Sequence, residues 1–417
     1  MAELRADVLV LGAGMVGVGA ALHLQKRGRD VILVDRGGLA GEGTSFGNAG
    51  VIECASVFPY MFPRDFREIL RHARNCSPQV RYSLADLPAF LPWLLRYYLA
   101  SSPERAKESA MAELPLIRQS LTEHEALIAE AGAGELLRRS GWIKMYRSDA
   151  SFAKALSDFE RAKQYGVTGE VLDDAAIKQR EPQLSGEFKG AIHFNQPGFV
   201  PDPGGLAKAY AALFKRKGGR FLAGDARTLE QANGGWRVNV DQGAVTAREA
   251  VVALGPWSDL VFGRLGYSIP LSVKRGYHLH LAARGNAVLN HPVLDADQGF
   301  VLVPMSRGIR LCTGVEFARR DGPPTPVQLQ RALPRAHALF PLGEAVDPKP
   351  WMGARPCLPD MRPVIGRAPR HTGLWFDFGH QHHGLTLGPV TGRLLAEMMT
   401  GETPFADPAP FAVERFG

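Results

Sequence analysis

A glycine-rich turn near the start of the chain has the residue types and spacing needed to hold a pyrophosphate. Gly12, Gly14 and Gly17 form the pattern GxGxxG between a predicted buried strand and a predicted helix. In this context the first glycine permits the tight turn, the second lets a pyrophosphate approach the backbone, and the third brings the helix against the strand. The N-terminus of the helix supplies N–H groups and positive potential. We therefore predict a dinucleotide site at this turn.

An acidic residue closes the second predicted strand. At this position the carboxylate of Asp35 would accept hydrogen bonds from ribose hydroxyls and repel a 2′-phosphate. NADP is therefore disfavoured, whereas the motif leaves both NAD and FAD open. No second GxGxxG follows a predicted strand, which favours a bound FAD that the substrate reduces directly. The predicted contacts at this end of the cofactor are Gly12, Gly14, Met15, Val16, Gly17, Asp35 and Arg36.

The composition limits the classes of protein to which the chain can belong. Its 417 residues are 45% hydrophobic and 22% charged, values that exclude disorder, collagen and coiled coil. A net charge of +7 by itself selects no partner, and we expect a small-molecule substrate and no nucleic acid. The four cysteines form no CxxC pair, so we expect neither a zinc site nor a disulfide framework, and a reducing, cytoplasmic location. The apolar run at residues 8–22 is too short and too rich in glycine to span a membrane.

The order of the predicted elements divides the chain between two domains. Residues 7–35 are predicted to form a βαβ unit, and strands between residues 220 and 254 return to that layer. Helices between 64 and 135 and antiparallel strands between 271 and 315 interrupt it. The predicted fold class is mixed α/β and α+β, with a discontinuous Rossmann-like FAD-binding domain and an inserted substrate domain of antiparallel sheet and helices. The FAD-binding domain is predicted to comprise residues 1–62, 200–266 and 351–417, and the substrate domain residues 63–199 and 267–350.

Four segments together resemble the bacterial D-amino-acid dehydrogenases, within the D-amino-acid oxidase and glycine oxidase group of flavoproteins. They are residues 8–35, TSFGNAG at 44–50, ALGPWS at 253–258 and GHQHHGLTLG at 379–388. The resemblance spans nearly the whole chain, and its most specific part is the loop at 44–50. It implies an FAD enzyme that dehydrogenates a D-amino acid and passes the electrons to a respiratory acceptor such as a quinone.

The resemblance also implies which residues contact the flavin. The loop at 44–50 would pass the flavin ring, because its small residues bring backbone donors close. A helix predicted at 389–399 would direct its positive end at the pyrimidine edge of the flavin, where negative charge accumulates on reduction. The alternative is a helix that only covers the sheet. The implied contacts are Thr44, Ser45, Asn48, Ala49 and Gly50 in the loop, Ala226, Ala253, Gly255 and Trp257 near the adenine and ribose, and Gly379, Gly384, Leu385 and Thr386 before the helix.

An amino acid substrate presents a carboxylate, for which a guanidinium is the strongest side-chain partner. The segment WMGARP resembles the stretch from which the glycine oxidase group supplies its carboxylate-binding arginine, which implies that role for Arg355. Tyr277 is a candidate to cap the substrate, or else a half-buried strand aromatic. Arg275 or Lys274 is a candidate to attract anions. His382 stands where glycine oxidases have a second arginine, so the anchoring of the substrate is expected to differ there.

The implied reaction transfers a hydride from the substrate Cα to flavin N5 and leaves an imino acid, which water hydrolyses to a 2-oxo acid and ammonia. The flavin carries this chemistry, so we name no catalytic base. A neutral substrate amine is the reactive form, which predicts a rate that rises with pH. The alternatives are an oxidase or dehydrogenase of glycine, sarcosine or a cyclic D-imino acid (proline or hydroxyproline), and a non-catalytic flavoprotein or electron-transfer subunit. We expect no metal at His380, His382 and His383, because no carboxylate or cysteine is interleaved with them.

Two segments of the predicted substrate domain could contact a membrane. Arg64, Arg67, Arg71 and Arg74 recur at helical spacing, and residues 87–99 contain many aromatic and aliphatic side chains. A basic face beside an aromatic-rich segment is typical of docking on anionic lipid, which would bring a membrane quinone within reach. The alternative is a solvated arginine face beside an apolar core. We therefore expect a cytoplasmic protein, with peripheral association at the inner membrane face as a hypothesis.

Overall fold

The computed structural model describes residues 4–417. Ten α-helices lie in this part of the chain: α1 (Met15–Lys26), α2 (Phe66–Ala73), α3 (Leu87–Ala100), α4 (Pro103–Ala131), α5 (Asp149–Lys163), α6 (Asp174–Arg180), α7 (Pro203–Arg216), α8 (Asp259–Phe262), α9 (Val327–Leu339) and α10 (Gly384–Thr400). Twenty strands accompany them: β1 (Leu4–Leu11), β2 (Val31–Asp35), β3 (Val51–Ile52), β4 (Val80–Tyr82), β5 (Trp142–Tyr146), β6 (Glu170–Leu172), β7 (Gly190–Phe194), β8 (Gly198–Phe199), β9 (Arg220–Ala232), β10 (Gly235–Val240), β11 (Gly243–Val252), β12 (Ser272–Ala283), β13 (Val293–Asp295), β14 (Phe300–Met305), β15 (Gly308–Thr313), β16 (Val315–Phe317), β17 (Leu342–Ala345), β18 (Trp351–Cys357), β19 (Val364–Arg367) and β20 (Leu374–Phe378).

The first sheet has a parallel core in the strand order β9, β2, β1, β11, β20. β10 joins β9 and β11 as an antiparallel ribbon, and β19 pairs antiparallel with β20 at the edge. Val8, Leu9, Val10 and Leu11 of β1 are fully buried, which is the pattern of a parallel strand covered on both faces. The carboxyl ends of the parallel strands therefore share one edge, where open α/β sheets bind their ligands.

Helices α1 and α10 pack against each other through glycines. A Cβ on Gly392 would lie 2.5 Å from the backbone nitrogen of Ala20, and one on Gly19 would lie 2.7 Å from the carbonyl oxygen of Gly388. Only glycine permits so close an approach of two backbones. The packing places the N-terminus of α10 beside that of α1, where a Cβ on Gly388 would lie 2.8 Å from Cγ of Met15.

The second sheet contains eleven strands, with β12 at its centre. One edge of β12 pairs with β15 and β16, and the other with β17 and β18, all antiparallel. Helix α9 covers one face of this sheet, with Leu329 and Leu339 in the core beneath it. The opposite face of β12 and β18 lines a cavity that it shares with the carboxyl edge of the first sheet.

The predicted fold class is confirmed, since a Rossmann-like parallel sheet alternates along the chain with an antiparallel sheet and its helices. The division into five segments stays a prediction. That division assigns residues 351–357 to the FAD-binding domain, whereas β18 pairs with β12 of the second sheet.

The predicted helix at 389–399 is longer than expected, because α10 begins at Gly384 and contains Pro389. A proline inside a helix leaves the carbonyl four residues earlier without its N–H partner. Here that carbonyl belongs to Leu385, and Nε2 of His124 bonds to it at 2.7 Å. Burial lowers the pKa of His124 to about 4, so its ring is neutral at physiological pH. This long-range partner explains why the helix extends to the N-terminal side of the proline.

Candidate active site

A cavity of about 1460 Å³ lies between the carboxyl edge of the first sheet and the face of β12 and β18 that is opposite α9. It is larger than the roughly 300–1,000 Å³ typical of a small-molecule site, as a dinucleotide together with a substrate would require. Most of the predicted site residues line it: Gly12, Gly14, Met15, Val16, Asp35, Arg36, Thr44, Ser45, Asn48, Ala49, Ala226, Ala253, Gly255, Trp257, Tyr277, Arg355, His382, Gly384, Leu385 and Thr386.

The glycine turn leaves part of its backbone open to the cavity. Gly12 adopts a φ of 106°, and a Cβ there would lie 2.5 Å from the carbonyl oxygen of Ala253. A Cβ on Gly17 would lie 1.8 Å from the carbonyl oxygen of Gly12, so Gly17 allows α1 to pack against the turn. A Cβ on Gly14 would meet only the hydroxyl of Ser45, at 3.4 Å. A ligand phosphate can therefore approach the backbone at Gly14, and its role in binding one stays a prediction.

Three of the predicted glycines do not line the cavity and instead shape the backbone. Gly17 allows α1 to pack closely against the glycine turn. Gly50 has a φ of 79°, and a Cβ there would lie 2.2 Å from the carbonyl oxygen of Val200. Gly379 has a φ of 87°, and a Cβ there would lie 2.6 Å from Cδ1 of Leu358. These glycines act through backbone conformation, and the structure gives no support to direct contact with a cofactor.

Asp35 ends β2 beside the glycine turn. Its Oδ2 accepts the backbone N–H of Ala13 at 2.8 Å, and its Oδ1 accepts that of Gly37 at 3.2 Å. A carboxylate has about four acceptor positions, so lone pairs remain for ribose hydroxyls on the cavity side. Arg36 lies over the ring of Trp257, with 5.8 Å between the guanidinium carbon and the ring centroid.

The loop at residues 44–50 is bonded to both halves of the molecule. Oγ of Ser45 accepts the N–H of Met15 at 3.0 Å, which joins the loop to the first turn of α1. Oγ1 of Thr44 donates to the carbonyl of Ala354 at 3.0 Å, which joins it to β18 of the second sheet. The loop therefore bridges the predicted phosphate site and the strand that carries the predicted substrate arginine.

Arg310 on β15 holds the same loop and was not predicted. Its Nη1 donates to the carbonyl oxygens of Phe46, at 3.2 Å, and of Asn48. Oδ1 of Asn48 accepts the N–H of Gly50 at 2.8 Å, which closes the end of the loop. An arginine inside the otherwise apolar strand IRLCT was the available signal in the sequence, because a buried guanidinium needs several acceptors.

The N-terminus of α10 faces the cavity. Gly384, Leu385 and Thr386 form its first turn and line the cavity wall. Thr386 Oγ1 also accepts the N–H of Glu53 at 3.1 Å. The first turn of α10 contains no acidic side chain of its own, so its N–H groups and the positive end of the helix dipole are available to a ligand.

Arg355 on β18 presents its guanidinium to the cavity. Its Nη1 donates to the carbonyl of Gly314 at 3.1 Å, and the group lies over Gly276, where a Cβ would be 2.7 Å from Nη2. No carboxylate in residues 4–417 forms an ion pair with it. Burial lowers the pKa of the guanidinium, but an arginine remains protonated. A partly buried cation without a protein counter-ion has the properties needed to bind a carboxylate.

Tyr277 and Arg275 belong to a separate buried cluster. The hydroxyl of Tyr277 donates to Oε2 of Glu316 at 2.6 Å and accepts the N–H of Thr325 at 2.9 Å. Nη2 of Arg275 lies 2.7 Å from the same Oε2, and both side chains of that ion pair are 1% exposed. The hydroxyl and this guanidinium are thus both bonded to Glu316, although Tyr277 also lines the cavity, and substrate binding by either residue stays a prediction. Strand alternation directs Lys274, not Arg275, to the cavity.

A carboxylate and two imidazoles meet at the cavity close to α10. One ligand atom from each of Glu53, His382 and His383 lies within 4.8 Å of the others. Nε2 of His383 lies 3.5 Å from Oε2 of Glu53, whereas Nε2 of His382 and Nδ1 of His383 have no hydrogen-bond partner in residues 4–417. Burial opposes the ionisation of Glu53, but His383 and Lys144 outweigh it and hold the pKa of the carboxyl below its usual value. Burial and the charges of His383 and Arg355 hold the pKa of His382 well below its usual value, so its ring is neutral.

Sequence reasoning missed Glu53 and His383 as members of the site. Glu53 bonds to Thr386 across 333 positions of the chain, so no local spacing could have joined it to the histidines. Glu53 supplies beside His382 and His383 the carboxylate that the neighbouring sequence lacks, which corrects the reason given against a metal site there. The absence of a metal stays a prediction.

The fold and cavity are those of a flavoprotein oxidoreductase, and comparisons with known proteins agree. A family model for FAD dependent oxidoreductases matches residues 7–398, and the chain belongs to that family. The D-amino-acid oxidase of Bradyrhizobium diazoefficiens is 30% identical over 416 residues, which cover 98% of each chain. A D-amino acid dehydrogenase of Dechloromonas aromatica is 29% identical over 409 residues, covering 95% of this chain and 97% of the relative. The glycine oxidase structure from Geobacillus kaustophilus shares the fold, with a TM-score of 0.72, 24% identity and 99% of each chain covered.

FAD is the cofactor of this oxidoreductase, and the residues present fit it. The open backbone at Gly14, the free lone pairs of Asp35 and the N-terminus of α10 face one continuous cavity. These groups would hold the pyrophosphate, the ribose and the flavin ring, respectively.

Proposed function

We propose that this oxidoreductase converts D-amino acids to 2-oxo acids and ammonia and passes the electrons to a lipid-soluble acceptor such as a quinone. Relatives of nearly equal length are named D-amino-acid oxidase and D-amino acid dehydrogenase, which supports the substrate class. The observation that carries the proposal is the guanidinium of Arg355, which lies in the cavity without a protein carboxylate. Such a group selects a small anionic substrate.

In this proposal the protein acts mainly by positioning the substrate. FAD, when bound, would supply the oxidant for a two-electron dehydrogenation at the substrate Cα. Arg355 fixes the carboxylate, so that the Cα–H bond is held in one orientation. No side chain has to remove a proton from carbon. The ionised Glu53 beside the neutral His382 offers the substrate amine a polar partner that accepts a hydrogen bond from its N–H.

The test is anaerobic mixing of the purified yellow protein with a panel of D- and L-amino acids while flavin absorbance is recorded. We expect several D-amino acids to bleach the flavin and their L-enantiomers not to do so. Reduction by L-amino acids alone would overturn the proposed stereochemistry. Failure of every amine to reduce the flavin would instead identify a non-catalytic flavoprotein or electron-transfer subunit.

The same panel of substrates distinguishes the proposed activity from the alternative enzyme activities. Glycine, sarcosine, D-proline and D-hydroxyproline belong in it, and a clear preference for any of them would replace the broader assignment. Hydrogen peroxide measured under air distinguishes an oxidase from a dehydrogenase. We expect little peroxide and rapid flavin reoxidation by a soluble quinone analogue.

We also propose that the protein docks peripherally on anionic lipid through an apolar and basic surface, which we call the α2–α3 surface. Half of the twelve exposed large hydrophobic side chains in the described residues belong to it: Phe66, Leu70, Leu84, Leu91, Leu95 and Leu99. The same segments of the chain carry five exposed arginines: Arg64, Arg67, Arg71, Arg74 and Arg96. Apolar side chains flanked by cations are typical of interfacial membrane binding.

The apolar side chains of the α2–α3 surface differ from those expected. Phe90, Trp93 and Tyr97 of α3 are buried, so the exposed stripe consists of leucines at helical spacing. Ile69 of α2 and Leu94 of α3 line the cavity, so the same helices separate the proposed lipid surface from the flavin site. This arrangement supports a lipid-soluble electron acceptor. No helix in residues 4–417 is long and apolar enough to cross a membrane.

A further inference from the structure

Lys274 and Arg355 form a pair of cations on the cavity wall. They are register partners across the antiparallel strands β12 and β18. Residues directly opposite each other in such a pair have Cβ atoms about 5 Å apart and project from the same face of the sheet. Both residues line the cavity. Two positive side chains thus stand next to each other where the substrate is proposed to bind.

Lys274 has no carboxylate partner. Its side chain is largely enclosed, since the residue is 6% exposed. Its Nζ lies 4.1 Å from the ring centroid of Tyr97 and 3.7 Å from Sδ of Met361. No ion pair links it to an acidic residue anywhere in the described part of the chain. Aromatic faces offset only part of the unfavourable free energy of burying an ammonium, so an anionic ligand beside it would be stabilised.

The charges in the cavity have a distribution that matches one class of substrate. Arg355 is required for the α-carboxylate, and Glu53 provides a negative partner for the amine. Lys274 remains as a second cation. If the substrate had a neutral side chain, this cation would have no anionic partner. A substrate with a second carboxylate would satisfy all three groups.

We propose that Lys274 binds the side-chain carboxylate of the substrate, so that the enzyme prefers acidic D-amino acids. This inference rests on the proposed function, because it assigns the substrate class of the same site. D-Aspartate and D-glutamate are the two lengths of side chain to be compared. D-Asparagine and D-glutamine are nearly isosteric with them and lack the charge.

The first test uses the unmodified holoenzyme and compares the kcat/KM of each acidic substrate with that of its amide. We expect a ratio of about ten to a hundred in favour of one acid, as for a charge-assisted hydrogen bond in a partly buried site. A ratio of one or less for both pairs overturns the proposal. If the neutral D-amino acids reduce the flavin in that case, the proposed function stands and only the preference for acids fails.

The second test changes the charge. Lys274→Met keeps the length of the side chain and should lower the acid-to-amide ratio about tenfold or more, mainly through KM, whereas Lys274→Arg should retain most of it. Lys154→Met is the matched control, because Lys154 is an exposed cation on the cavity rim. Its acid-to-amide ratio should equal that of the unmodified enzyme. An undiminished ratio in Lys274→Met, or an equal loss in the control, overturns the assignment to Lys274.

A binding measurement makes the inference independent of turnover and of variant folding. Succinate and butyrate have the same number of carbons and differ in the second carboxylate, and neither has an amine to oxidise. We expect succinate to perturb the flavin spectrum of the unmodified holoenzyme with at least a tenfold lower Kd. Equal affinities would overturn the proposed second carboxylate site. If no D-amino acid reduces the flavin, the proposed function fails, while this comparison still decides whether two carboxylates are recognised.

Discussion

The hydroxyl of Ser45 accepts the backbone N–H of Met15 at 3.0 Å. Met15 opens α1, and the residue before it, Gly14, has no side chain to cap that helix. Ser45 therefore supplies, from a distant loop, an acceptor for one of the N–H groups in the first turn of α1 that have no partner within the helix. The loop at 44–50 and the glycine turn are coupled by this bond, so a change in either should affect how the other meets the cofactor.

Two glycine substitutions should separate cofactor binding from folding. Gly14→Ala places its Cβ in ordinary contact with the hydroxyl of Ser45, at 3.4 Å, so we expect near-normal stability of the apoprotein. We expect at least about a tenfold weaker FAD affinity, because the pyrophosphate loses its approach to the backbone. Gly17→Ala forces its Cβ to 1.8 Å from the carbonyl oxygen of Gly12, so we expect a loss of about 2–4 kcal/mol in stability. Denaturant unfolding of the apoproteins and FAD titration measure both. Indistinguishable effects of the two changes would contradict the separate roles.

Arg355→Met should abolish recognition of the substrate carboxylate. We expect kcat/KM for the best D-amino acid to fall about 10²- to 10³-fold. The decrease in kcat/KM should be smaller for Arg355→Lys, because lysine keeps the positive charge but lacks the two-pronged set of donors of a guanidinium. Stopped-flow flavin reduction provides the rates. The ratio of flavin to protein absorbance is the control for folding. Unchanged anaerobic reduction in Arg355→Met would remove this residue from the substrate site.

Glu113 should make stability depend on pH. Burial, with the nearby charge of Asp360, raises the pKa of its carboxyl to about 8. The folded state therefore holds a proton that the unfolded state has released, so this group's contribution to stability decreases as pH rises from about 4.5 to about 8 and is constant above that. Relative to the unmodified protein, Glu113→Gln should gain about 4 kcal/mol of stability between pH 5 and pH 8.5. Denaturant unfolding at several pH values measures the difference.

Glu108→Gln is the matched control for this prediction, since Glu108 is exposed on the same helix, α4. Its stability difference from the unmodified protein, measured at the same pH values, is the reference for Glu113→Gln. A difference for Glu113→Gln that is constant from pH 5 to 8.5 would show that the carboxyl at 113 titrates normally.

Leu95→Glu should weaken membrane association. Leu95 is 60% exposed in the α2–α3 surface, and burying a leucine in the interface favours binding by about 2 kcal/mol, so we expect at least a tenfold lower partition coefficient. Cosedimentation with phosphatidylglycerol vesicles at low salt measures it, and added salt should reduce binding of the unmodified protein. Val288→Glu is the control, because Val288 is also 60% exposed but lies outside this surface. Complete recovery of the unmodified protein in the supernatant would rule out docking.

The sequence was sufficient to predict the βαβ start of the chain, the glycine turn and the antiparallel second sheet. These features are local. The periodicity of a strand or helix and the spacing of Gly12, Gly14 and Gly17 can be read from residues that are close together in the sequence. The resemblance located the loop at 44–50 and Arg355, and both lie at the cavity.

Tertiary structure decided the rest, because strand register and long-range packing determine which distant side chains face each other. Register placed Lys274 opposite Arg355 and directed Tyr277 to Glu316. The contact between Glu53 and Thr386 brought a carboxylate to the histidines, which no spacing in the chain could reveal. The sequence, with its resemblance to flavoproteins, therefore predicted FAD and the elements proposed to hold it, whereas the charges that line the cavity came together only when the two sheets packed against each other.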